Sequence, residues 1–235
     1  LVINMPPRHA KSLLVSVFWP VWEWTQHPER RWLYSSYAAS LSIRDSLKCR
    51  RLIESPWFQE RWGHVFQLTN DQNAKIRYDN DKTGYRIATS VGGAVTGEGG
   101  DRVIVDDPAN VNDASSPLVR ERTTEWWDQA MSTRLNDPKT GAKVIVMQRV
   151  HQDDLSGHVL KQGGYEHLKL PAEYEGTKTV TCIGWEDPRT EPGELLWPER
   201  FGEPELVALK RSMGAYAAAG QLQQRPAPRE GGLIK

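Results

Sequence analysis

Cysteine is almost missing from this sequence: Cys49 and Cys182 are the only two in 235 residues. They lie far apart without metal-ligand spacing. That excludes a disulfide scaffold and a structural zinc module, and it fits free thiols in a reducing, cytosolic setting. Net charge is missing too. The 30 Lys and Arg balance the 30 Asp and Glu, so there is no overall basic field for nucleic acid, and any DNA contact has to be local or made by another domain. No apolar run approaches the roughly 20 residues that span a bilayer, and no signal peptide is visible. What remains, 38% hydrophobic and 26% charged, describes a soluble globular chain long enough for one large domain or two small ones. It opens inside an apparent strand with Leu rather than Met, so it is expected to be a piece of something longer.

Glycine is missing where one motif would want it. Leu1-Val2-Ile3 is followed by Asn4-Met5-Pro6-Pro7-Arg8-His9-Ala10-Lys11-Ser12 and then an apolar helical run. That is the layout of a strand, a phosphate-binding loop and a helix. In such a loop Lys bridges the outer phosphates, the next hydroxyl holds Mg²⁺, and backbone N–H groups at the helix start cradle the anion. The full pattern has glycines where this chain has Met5 and Ala10, because the backbone there needs positive φ and close approach. A basic strand-to-helix turn is the alternative reading of the same residues.

A second element answers the first. Val103-Ile104-Val105-Asp106-Asp107-Pro108 reads as a buried strand ending in two carboxylates. A phosphate-loop enzyme needs a carboxylate at the end of a neighbouring strand for the Mg²⁺ complex and a group that orients the attacking water. Asp106 suits the first role and Asp107 the second, although many ATPases place the longer Glu there. A third strand, Lys143 to Gln148, brings Gln148 and Arg149 to its carboxyl end, where polar side chains can sense a γ-phosphate. His151, Asp153, Asp154 and His158 permit a metal-site reading, but an Asp capping the following helix explains them more simply.

The remaining pattern alternates strands and helices. Helices are expected over Leu13 to Trp24, kinked or ended by Pro20, and over Ala38 to Glu54 with Leu41, Leu47 and Ile53 inward. Others are expected from Pro117 to about Leu135, from Asp153 to Gln162, and from Glu203 to about Met213. Strands are expected at 32–37, 76–78, 86–91 and 167–170. The apolar strands argue for an α/β fold with a parallel sheet flanked by helices. The ten tryptophans are read as core or interface anchors before base-stacking platforms. Arg44, Lys48, Arg50 and Arg51 are read as a solvated helix face before a DNA track, with an inter-subunit contact as the third option.

The order of Pro6-Pro7-Arg8-His9-Ala10-Lys11-Ser12, Gly92-Gly93-Ala94-Val95-Thr96-Gly97-Glu98-Gly99, Val105-Asp106-Asp107-Pro108 and Gln148-Arg149-Val150-His151-Gln152-Asp153-Asp154-Leu155 resembles the ATPase region of tailed-phage terminase large subunits. Leu170-Pro171-Ala172, Leu196 to Phe201 and Gln223-Gln224-Arg225-Pro226 extend the resemblance along the chain. It implies a P-loop NTPase-type three-layer αβα fold and an ATP-hydrolysing motor that drives double-stranded viral DNA into a capsid. It also implies ATP and Mg²⁺ as cofactors. Its partners would be a portal protein, a small terminase subunit and further copies in a ring on the portal, in the cytoplasm of an infected bacterium. Pro7, Arg8, His9, Ala10, Lys11 and Ser12 would form the nucleotide loop, Ser12 and Asp106 would serve the metal, and Arg8, Asp107, Gln148 and Arg149 would act in catalysis and coupling.

Departures from the family pattern are Ala10 for glycine, Val150 for a common Trp, and Glu98 in a loop that often carries a basic residue. Arg86 and Arg102 are the candidates to replace that base as a trans-acting arginine. The expected division is an ATPase core over 1–170 lacking an upstream adenine-binding segment, a lid or subdomain over 171–220, and a linker over 221–235 towards a nuclease domain not contained here. No nuclease activity is expected. A catalytically silent prophage remnant serving assembly, or another phosphate-loop motor such as a helicase, are the alternatives.

Overall fold

The computed structural model describes residues 1–93 and 97–227. Ala94-Val95-Thr96 of the glycine-rich loop and residues 228–235 of the expected linker lie outside the described residues. The chain divides into two compact units. One comprises Ala10–Asn110 and Glu121–Ile145, the other Leu1–His9, Val111–Arg120 and Val146–Lys235.

In the first unit the strands are β2 (Arg31–Ser36), β3 (Leu68–Asn73), β4 (Arg77–Asn80), β5 (Tyr85–Ser90), β6 (Arg102–Asp106) and most of β7 (Ala142–Met147), in the order β3-β4-β5-β2-β6-β7. β2 runs parallel to both β5 and β6, with Ser35 opposite Val105, so Ser36 and Asp106 leave the sheet at the same edge. β3 and β4 join antiparallel. Trp32, Leu33, Tyr34, Val103, Ile104 and Val105 are all almost fully buried. They match the continuous apolar runs expected of strands covered on both faces.

The helices that cover this sheet begin with the stretch expected to kink or end at Pro20. It does not end there but is distorted: the helix runs through α1 (Lys11–Leu13), a π-helical turn over Leu14–Phe18, and α2 (Trp19–Trp24). Proline lacks the N–H that would bond back to residue 16, and the wider turn lets its ring pass. Side chains take up neighbouring carbonyls of that turn: Tyr34 Oη donates to Val15 O at 3.1 Å and Cys49 Sγ to Val17 O at 3.2 Å.

α3 (Ala39–Ile53) also differs from expectation. Its buried face is Ser42, Asp45, Ser46, Cys49 and Ile53, while Leu41 and Leu47 are only half-buried. Small and polar residues face inward because the helix packs on β5, whose Arg86 is entirely buried. The Arg86 guanidinium lies 3.7 Å from the centre of the Tyr34 ring. α4 (Pro56–Trp62), capped by Ser55, contributes Phe58 to an aromatic cluster with Trp24, Phe66 and Tyr78. α5 (Pro117–Gln129) stops short of Leu135 and gives way to a 3₁₀ turn at Met131–Thr133.

The second unit holds β1 (Val2–Asn4), the end of β7, and β8 (His167–Lys169), in the order β7-β1-β8, with β1 and β8 parallel. Asn4 is fully buried and uses its whole side chain. Its amide donates to Met147 O and Ser156 Oγ, and its oxygen meets His167 Nε2 at 2.8 Å. α6 (Leu155–Gln162) carries Ser156, and Asp154 is its N-cap. The last helix, α7 (Glu203–Gln221), is broken at Gly214, whose φ of 77° suits glycine alone, so its first part ends at Met213 as expected and a second helical part follows. Leu222, Gln223 and Gln224, expected to open the linker, are buried, and Gln223 bonds Glu173 through both ends of its amide.

Candidate functional site

Two short segments of the first unit meet at the carboxyl edge of β2 and β6. One is the start of α1. The residue before it, Ala10, has φ 61° and ψ 11°, left-handed values that a Cβ makes costly. Arg8 also has a positive φ, 64°. The loop therefore adopts left-handed backbone at Ala10, a glycine position of the motif, and at Arg8, but not at Met5. The other segment is the end of β6, where Asp107 turns the chain with φ 46°. Its carbonyl accepts from Tyr37 N at 3.0 Å, which ties the turn to the end of β2.

The side chains converge from there. Lys11 is 6% exposed, and its Nζ lies 3.1 Å from Asp107 Oδ2. Ser12 Oγ donates to Asp106 Oδ1 at 3.0 Å, and Ser16 Oγ donates to Asp106 Oδ2 at 2.7 Å. Burial, together with the neighbouring charge of Asp107, pushes the Asp106 carboxyl up to about 7, against the pull of the Ser16 bond, Lys11 and Ser12. Lys11, Ser12, Asp106 and Asp107 are thus brought together, with the lysine on the second carboxylate rather than the first.

The donor set suits Mg²⁺. A carboxylate and a hydroxyl already in contact are hard oxygen ligands, and such an ion takes one or two protein carboxylates and fills its shell with substrate phosphates and water. Among the described residues no group of three or more His, Cys, Asp or Glu could enclose a metal by itself. Asp154 caps α6, as the simpler reading of that segment expected, and Asp153 pairs with Lys161 at 2.6 Å.

The other predicted site residues lie in the second unit. Arg8 is exposed, and the Pro7 carbonyl accepts from His9 Nδ1 at 2.9 Å. The His9 ring stacks on Phe201 at 4.8 Å. Arg149 is 9% exposed and its Nε is 2.9 Å from both oxygens of Asp154, while its backbone N–H bonds Gln224 Oε1. Gln148 Oε1 is buried with no hydrogen-bond partner.

The two arginines suggested as trans-acting groups are not available for that role. Arg86 is wholly enclosed, and Arg102 is bound to Glu23, Nη2 to Oε1, at 2.5 Å. Glu98, in turn, pairs with Arg77 at 3.2 Å. Ser16 was not foreseen. Its only sequence signal is a hydroxyl four residues after Ser12 within an apolar run.

Among solved structures, a point mutant of the large terminase ATPase domain of Thermus phage P74-26 aligns with 96% of this chain and 88% of its own, at TM-score 0.59 and 15% identity. The unmutated domain gives 0.58 at the same coverage and identity. The chain has the fold of the large-terminase ATPase domain. The HK97 bacteriophage large terminase, at TM-score 0.56 and 12% identity, aligns with 94% of the chain but only 45% of its own length, so this chain spans less than half of that protein. No protein-family model matches, and no curated protein matches in sequence. No helix among the described residues is long and apolar enough to cross a membrane. The terminase ATPase fold agrees with the expected mostly parallel sheet flanked by helices.

Proposed function

We propose that this chain is the ATP-hydrolysing module of a DNA-packaging terminase, with the loop Pro7–Ser12 as its nucleotide cradle. The observation that carries the reading is the convergence of Lys11, Ser12, Asp106 and Asp107 within one unit, on the fold of terminase ATPase domains. Lys11 would bind the outer phosphates, with Arg8 and the backbone of His9 and Ala10 lining the loop. Ser12 and Asp106 would hold Mg²⁺, which neutralises phosphate charge when bound. Asp107 would accept the proton of the attacking water, once a phosphate has drawn Lys11 away from it.

Gln148 and Arg149 are assigned to coupling. The partnerless Gln148 oxygen supports a second bonding state for that residue. Arg149, held by Asp154, would act by carrying α6 with it. Segment 171–220 would serve as a subdomain moving with the cycle. Double-stranded DNA, a portal protein, a small terminase subunit and neighbouring copies in a ring are the partners proposed, in the cytoplasm of an infected cell.

The test is Mg²⁺-dependent ATP hydrolysis, compared between the protein and its Lys11→Ala variant. A loss of about 100-fold or more is expected, the scale of removing one preorganised charge from a phosphoryl-transfer site. Equal activity in the two would remove Lys11 from the mechanism. Absence of any binding heat for ATP with Mg²⁺ would leave the silent assembly module in its place.

A further inference from the structure

Ser16 lies one helical turn beyond the loop and is 2% exposed. Its hydroxyl makes the shorter of the two bonds to Asp106, 2.7 Å against 3.0 Å from Ser12, and it takes the other carboxylate oxygen. A carboxylate held at one oxygen still turns about its last side-chain bond, where the torsional wells are broad. Held at both oxygens by separate donors, its plane is locked.

The donor is itself fixed. Ser16 sits inside the π-helical turn, between Val15 and Val17, whose carbonyls are bonded by Tyr34 and Cys49. Pro20 removes the N–H that would have bonded Ser16 O. The turn is thus pinned from two neighbouring elements, at the residues on either side of the one that holds Asp106.

We propose that Ser16 is a positioning residue for the metal site: it locks the Asp106 carboxylate so that Oδ1 stays beside Ser12, where the ion would be shared. This rests on the nucleotide–Mg²⁺ reading above. Ser16 touches neither nucleotide nor ion in this account and acts only through Asp106.

The experiment is calorimetric titration of the protein with ADP, first without divalent ion and then across a series of Mg²⁺ concentrations. Ser16→Ala is expected to leave Mg²⁺-free ADP affinity within about twofold of the parent. It should raise the Mg²⁺ concentration for half-maximal tightening by about tenfold, the scale of one hydrogen bond to a charged group. In an Asp106→Asn background Ser16→Ala should add nothing, because the residue it acts through is gone. Ser16→Cys, which keeps the shape with a weaker donor, covers the case in which the alanine variant fails to fold. It should shift the Mg²⁺ midpoint in the same direction by less. An unchanged midpoint in the folded variants, or an equal effect with and without the Asp106 carboxylate, overturns the proposal while the nucleotide site stands. If the parent protein shows Mg²⁺-independent ADP binding or none, the nucleotide–Mg²⁺ reading falls first and this one with it.

Discussion

The Lys11 ammonium rests on Asp107, at 3.1 Å, and not on the adjacent Asp106, which is occupied by two serine hydroxyls. The pair is largely enclosed, with side chains 7% and 28% exposed. Lys11 is therefore neutralised in the free protein by the group proposed to handle the attacking water. A phosphate has to replace Asp107 as the partner of Lys11, and that exchange frees Asp107 for its own role. Binding and activation are one event in this arrangement.

Asp107→Asn separates the two consequences. The amide competes less for Lys11 and removes a negative charge from the phosphate site, so ATP should bind several-fold more tightly. Turnover should fall by about 100-fold or more, the lower bound for losing a positioned base. Nucleotide titration together with single-turnover hydrolysis measures both. A variant weakened in binding, or unchanged in turnover, contradicts the assignment.

Ala10 has a left-handed backbone that its Cβ resists. Ala10→Gly removes about 1 kcal/mol of that strain and costs somewhat less in unfolded-chain entropy. The expected outcome is a small gain, with a midpoint about 1 °C higher by calorimetry. A fall in stability would mean that the alanine methyl packs usefully in the loop.

Arg86 is fully buried, and among the described residues none of its three guanidinium nitrogens has a hydrogen-bond partner; the Tyr34 face lies against it, and the buried Asp45 carboxylate acts on it without a hydrogen bond. Desolvating a cation is expensive, and an apolar residue of similar length keeps the ring contact without that cost. Arg86→Met is expected to match or exceed the parent in stability, whereas Arg86→Ala should lose about 3 kcal/mol through the cavity it leaves. Urea unfolding of both variants distinguishes them. If methionine is as damaging as alanine, the charge itself holds this core together.

His167 supplies a pH dependence. Burial, with the charges of Arg149 and Lys169, lowers its pKa to about 4 from an ordinary value of 6.5. The folded protein thus keeps a neutral imidazole that the unfolded chain would already protonate. The corresponding stability is complete above about pH 6.5 and is lost as pH falls towards 4. His167→Gln should unfold with a shallower loss of stability across that window than the parent. Parallel curves for the two proteins would show that His167 ionises freely in the fold.

Much of the site was legible because its signals are local. An apolar strand, a proline-rich turn and Lys11-Ser12 occupy twelve consecutive residues, and Val103 to Asp107 is one buried strand with its end. Elements whose identity depends on a distant partner were harder to read. β3 is a polar segment, Leu68–Asn73, that becomes a strand only by pairing with β4. α3 hides serines because Arg86 and the sheet face it. Pro20 continues a helix only because the π-helical turn opens around its ring.

The order of residues alone determined which chemical groups this protein owns and along which strands and turns they are strung, since periodicity and chain stiffness act over a few neighbours. Tertiary structure decided how those groups are paired: lysine with the second aspartate, and two serines with the first. Such pairing depends on the register of β2 against β6 and on the pitch of one helical turn, quantities set by contacts between residues about seventy to ninety positions apart.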